Sequence, residues 1–165
     1  METAVEVELV TKPDLDAMGE GLIKEFTYLP SQAEVALTFA HGIRKLLSEE
    51  RHWTRNTLAR TASTYYNKNG GTTDPLSPEA VSWCLLGAGR RVRYELAHIR
   101  GYDYEMVKRG SRSFYGRLTT TIRELSGASL GVASFNDTHD YEQVIELLDF
   151  TIEKMEAKLD GSRRR

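Results

Sequence analysis

Val81, Leu85, Ala88, Val92, Leu96 and Ile99 recur at spacings of three and four, and no other feature constrains the fold as strongly. That spacing puts apolar side chains on one face of a helix, which must then be buried against other elements. The residues before it strengthen the reading. Ser77 is placed as an N-cap, Pro78 at the first helical position, and Leu76 and Val81 as the two halves of a hydrophobic staple. A helix from Pro78 to about Arg100 is therefore predicted. Gly87 and Gly89 flank Ala88 within it, and glycine weakens a helix interior by roughly 0.5–1 kcal/mol against alanine. Their presence predicts a close crossing by another helix or backbone.

Further helices follow from the same logic. Ser31-Gln32-Ala33-Glu34 is a capping box, and Ala36, Phe39, Ala40, Ile43, Leu46 and Leu47 form the stripe of a helix behind it. Phe114, Leu118, Ile122 and Leu125 mark a helix from Ser113 to Leu125, preceded by a connector over 101–110. Asp140-Tyr141-Glu142-Gln143 resembles a second capping box, and Tyr141, Ile145, Leu148, Ile152, Met155 and Leu159 line the helix after it. Near the N-terminus, Val5 to Val10 alternates apolar and acidic residues, as a half-buried strand does, and Leu15, Met18, Leu22 and Phe26 suit a short helix. The fold class expected is mainly α: a compact helical bundle with a short N-terminal strand or extended arm. Residues 1–30 form the arm, 31–160 the helical domain and 161–165 a basic tail.

At 165 residues and 40% hydrophobic content, the chain suits one globular core. Its apolar runs are too short for a membrane span and no charged segment precedes one, so a cytoplasmic protein is expected. One cysteine excludes an internal disulfide. Net charge is −2, yet its distribution is uneven: −6 over residues 1–34, +2 over 35–87, +6 over 88–123 and −4 over 124–165. Such asymmetry marks an acid-seeking surface, or halves of one protein that complement each other.

Cys84 is the one plausible nucleophile. A catalytic cysteine needs a thiolate favoured by a histidine, a cation or a helix N-terminus, and the predicted helix places Cys84 about two turns in. A buried small hydrophobe fits that position better, with the lining of a pocket as another reading. With His52, His98 or His139 as base and Asn136 or Asp137 as orienter, a cysteine–histidine–asparagine arrangement can still be written. Asn136 and Asp137 are equally good turn and cap residues before the last helix. His41, His52, His98 and His139 have no metal-ligand spacing, and Gly87-Ala88-Gly89 follows no strand, so neither a metal nor a cofactor is expected.

Arginines at 90, 93, 100, 109 and 112, interleaved with Tyr102 and Tyr104, make the segment from Arg90 to Arg123 a candidate binding surface. Arginine and tyrosine are enriched at protein interfaces; the same residues can hold phosphates and stack on bases, although a pI near 6.1 is low for a nucleic-acid binder. Trp53 and Trp83, set beside Asn136 and Asp137, would form a shallow pocket.

Trp53-Thr54, Leu58-Ala59-Arg60, Ser77-Pro78-Glu79-Ala80-Val81, Trp83-Cys84-Leu85-Leu86-Gly87-Ala88 and Phe135-Asn136-Asp137, taken in order, resemble a family of small, uncharacterised bacterial and phage-associated proteins. The similarity covers about residues 35–150 and implies a compact, mostly helical domain with no activity to transfer. Residues 1–30 lie outside the pattern, and the segment from Arg90 to Gly127 is longer and more basic than it. The function expected is a non-enzymatic interaction or assembly protein that grips a protein partner, or a second copy, through the N-terminal arm and the arginine/tyrosine segment. The alternatives are a small hydrolase or transferase using Cys84 and a nucleic-acid-binding module.

Overall fold

The computed structural model describes residues 30–63 and 70–164. Among them are five α-helices, α1 Gln32–Leu46, α2 Leu85–Tyr94, α3 Tyr104–Ser126, α4 Val132–Thr138 and α5 Tyr141–Arg163, with two short strands, β1 Ala59–Thr61 and β2 Ala80–Trp83. The fold is mainly α. The predicted strand and helix of residues 1–29 lie outside the described residues.

α1 is the central element, packed against α2, α3 and α5. Its capping box forms as the sequence requires: Ser31 Oγ accepts from the Glu34 amide and the Glu34 carboxylate accepts from the Ser31 amide. Val35, Ala36, Phe39, Ala40 and Ile43 are buried along it. Phe39 meets Phe114 of α3 edge-on, with ring centroids 5.6 Å apart. Fully burying a side chain of this size contributes about 1.5–3 kcal/mol. Gly110 of α3 lets the two helices approach, because a Cβ there would lie 2.9 Å from a Val35 methyl. α5 begins at the second capping box, Asp140 with Gln143, and buries Val144, Leu147, Leu148, Thr151, Ile152 and Met155. It continues through Gly161 to Arg163, past the point where the sequence suggests a tail.

The largest departure lies before α2. Residues 80–83, expected as its first turn, are strand β2, paired antiparallel with β1 in the register Ala59↔Trp83, Arg60↔Ser82 and Thr61↔Ala80. Leu76 and Val81 are exposed and make no staple, and the helix starts at Leu85 with Cys84 as its N-cap. Pairing with residues 59–61 outweighs the local start signal, because the strand seats Ala80, Ser82 and Trp83 in the interior. The stripe survives in its middle. Leu85, Ala88, Val92 and Leu96 are buried, while Ile99, on a π-helical turn over Glu95–Ile99, is 68% exposed.

Two further boundaries differ. α3 starts at Tyr104 rather than Ser113, capped by Asp103 through the Met106 amide, so most of the expected connector is helix. Phe135, Asn136 and Asp137 sit within α4 rather than in a turn.

Candidate functional site

Asn136 joins three segments that are distant in sequence. Its Oδ1 accepts from Trp53 Nε1 at 2.9 Å and from the Leu85 amide at 3.1 Å, while its Nδ2 donates to the Thr54 carbonyl and to Asp137 Oδ1, each at 3.0 Å. All four hydrogen-bonding positions of the amide are therefore used, and the residue is 1% exposed. Asp137 adds a fifth link by accepting from the Asn56 amide at 2.8 Å. Asn56 has φ 58, in the left-handed region that asparagine tolerates better than most residues. Short helix α4 thus clasps the loop over 53–56 to the start of α2.

Trp53 and Trp83 have separate roles. Trp53 is half-buried beside Tyr141, with ring centroids 6.1 Å apart. Trp83 is buried and its Nε1 donates to the Pro75 carbonyl; the two tryptophans meet through their backbones in a parallel bridge. Trp53, Asn136 and Asp137 do come together, in a hydrogen-bonded junction, and Trp53 also lines the cleft described below.

Cys84 lies next to this junction at the N-terminus of α2, not two turns into it. Its Sγ accepts from the Gly87 amide at 3.4 Å. A helix start lowers a thiol's pKa, yet here burial dominates and pushes the thiol up from its ordinary value, with Asp137 adding to the rise and the amides opposing it. The group is a neutral thiol near neutral pH. None of the candidate bases is its hydrogen-bond partner: His139 Nδ1 lies 2.9 Å from the Phe135 carbonyl, with its ring stacked on Phe135, and His98 packs on Tyr94. His52 faces the cleft described below.

Gly87 and Gly89 meet the close neighbours their position calls for. A Cβ on Gly87 would come within 1.8 Å of the Leu58 carbonyl oxygen, and one on Gly89 within 1.8 Å of the Tyr115 hydroxyl. That hydroxyl donates to the Leu85 carbonyl and is well buried, which pushes its pKa far up.

The arginine/tyrosine segment divides between surface and interior. Arg90, Arg100, Tyr104, Arg109 and Arg112 are exposed, Arg90 facing Asp74 at 3.8 Å. Tyr102 packs on the core, and Arg93 is partly buried, with its Nε lacking an acceptor among the described residues.

A cleft of about 790 Å³ lies between the loop over 51–56 and residues of the two strands. Arg51, Arg55 and Arg60 line it together with His52, and among the described residues no Asp or Glu does. Sequence reasoning passed over these arginines. The available signal was the absence of any acidic residue from 51 to 73. Among the described residues, no group of three or more His, Cys, Asp or Glu is placed to hold a metal ion, and no helix is long and apolar enough to cross a membrane.

Fold and junction together define a small helical domain whose motif residues are joined by a buried asparagine. The chain belongs to a family of unknown function, DUF6197, whose family model matches residues 32–154. No curated protein and no solved structure matches it.

Proposed function

We propose that this is a non-enzymatic interaction protein that assembles with a second copy of its own chain, through the corner where α2 passes into α3. The observation carrying this reading is a run of exposed apolar side chains there, Tyr94 at 42%, Ile99 at 68% and Tyr104 at 48% exposure. Exposed Arg90, Arg100, Arg109 and Arg112 belong to the same two helices and the turn between them. Aromatic side chains accompanied by arginine form the composition enriched at protein interfaces. A complementary surface exists on the same molecule: α5 exposes Glu142, Glu146, Glu153 and Asp160, none with a cationic partner among the described residues.

Joining two different faces in this way makes a heterologous contact, which builds rings or open filaments. Such an assembly role suits the resemblance to small bacterial and phage-associated proteins. Engagement of Asn136 in the clasp and of Cys84 in a helix cap favours binding over catalysis. We place the protein in the cytoplasm, where a lone thiol stays reduced. The other expected contact, the arm of residues 1–30, lies outside the described residues except for Pro30.

Sedimentation velocity of the full chain from micromolar to submillimolar concentration tests the reading. The average mass should rise with concentration, fall back as salt screens the charges, and stay monomeric in an Ile99→Asp, Tyr104→Ala variant. A strict monomer throughout refutes it, as does association that the double variant leaves intact.

A further inference from the structure

The clasp does more than close the fold, because two of the residues it holds each carry a guanidinium into the cleft. Asn136 fixes the Trp53 indole, and the Arg55 guanidinium lies over that ring, 5.0 Å from its centroid. Asn136 also fixes the Thr54 carbonyl, and Thr54 Oγ1 accepts from Arg60 Nε at 2.9 Å. The Thr54 amide donates in turn to the Trp83 carbonyl, which ties the same residue to β2.

Neither Arg55 nor Arg60 has a carboxylate partner among the described residues, whereas Arg51, which also lines the cleft, has its charge compensated by Glu49. We infer that this cleft binds a small ligand carrying two or more linked phosphate groups, of the polyphosphate or nucleoside-polyphosphate class, with Arg55 and Arg60 as the principal contacts.

Three considerations lead to that chemistry. Two unpaired guanidiniums in one cleft, with no acidic lining among the described residues, suit a ligand of more than one negative charge, and guanidinium forks match phosphate oxygens in pairs. Thr54, Ser63 and Ser82 are among the residues lining the same cleft, and hydroxyls of this kind are further donors for tetrahedral oxyanions. A nucleic-acid strand fits less well, because the Trp53 ring already meets Arg55 and Tyr141 and so offers a base a poor stacking platform. The arginines are held before any ligand arrives, so less side-chain freedom is lost on binding.

Isothermal titration of the full chain with tripolyphosphate at low salt, repeated by phosphorus NMR linewidth, tests the inference independently of self-association. One ligand per chain is expected. Arg55→Gln and Arg60→Gln should each weaken binding about tenfold, equivalent to about 1.4 kcal/mol, while Arg123→Gln on the far end of α3 should not. Arg60→Lys should fall between, keeping the charge but losing the fork. Circular dichroism checks that each variant is folded. ATP binding more tightly than tripolyphosphate would assign the nucleoside form, and equal affinities the polyphosphate form. Absence of tripolyphosphate binding, equal weakening by Arg123→Gln, equal affinity for citrate, or binding of an oligonucleotide alone would each overturn the inference.

Discussion

Replacing Asn136 with alanine removes the amide on which three segments converge. The Leu85 amide and the Thr54 carbonyl lose their partner in the interior, while the half-buried Trp53 indole has water within reach. A stranded buried polar group costs about 1–3 kcal/mol, so two of them together with the small cavity place the loss at about 3–5 kcal/mol. For a chain of this size that lowers the melting temperature by about 10 °C. Urea unfolding followed by tryptophan fluorescence and by circular dichroism gives the loss directly, with an unchanged m-value showing that the reference states are the same. A cycle with Trp53→Phe, which deletes the indole donor together with part of the ring, should reveal coupling of about 0.5–3 kcal/mol between the two positions. A loss below about 1 kcal/mol for Asn136→Ala, or strict additivity with Trp53→Phe, would show that the clasp does not hold the fold together.

Two glycines make a contrasting pair. Gly87→Ala forces a methyl group against the Leu58 carbonyl, a backbone atom that cannot swing aside, and should cost at least about 2–3 kcal/mol in urea unfolding. Gly116→Ala, in the middle of α3 with nothing within 4 Å of the new methyl, should stabilise by about 0.5–1 kcal/mol. Cys84 should resist iodoacetamide near neutral pH in the folded protein and react once urea unfolds it, because burial keeps the thiol protonated. Rapid alkylation of the native state would refute that assignment. Both Cys84 and Tyr115 have raised folded pKa values, so their contribution to stability is complete below the unfolded values of 9.0 and 10.0. Stability should fall as the pH climbs past 9, and Cys84→Ala should flatten the first part of that decline.

Local chemistry determined much of this protein. The capping boxes at Ser31 and Asp140 needed only neighbouring residues to form, so α1 and α5 start where the sequence places them. The glycines at 87 and 89 reported a close approach, since few other pressures keep glycine in a helix, although which atoms approach was not legible. Tertiary structure decided the rest. Ser77-Pro78 is a sound helix start by local rules, but pairing across residues 59–61 draws residues 80–83 into a strand and moves Cys84 from the middle of a helix to its cap. Asn136 reads as a turn residue from its neighbours alone. Its four hydrogen bonds reach partners as far as 83 residues away, and no periodicity or spacing encodes such contacts. The cleft is of the same kind: Arg55 and Arg60 are ordinary surface cations in sequence, and only the clasp behind them sets both against one cleft.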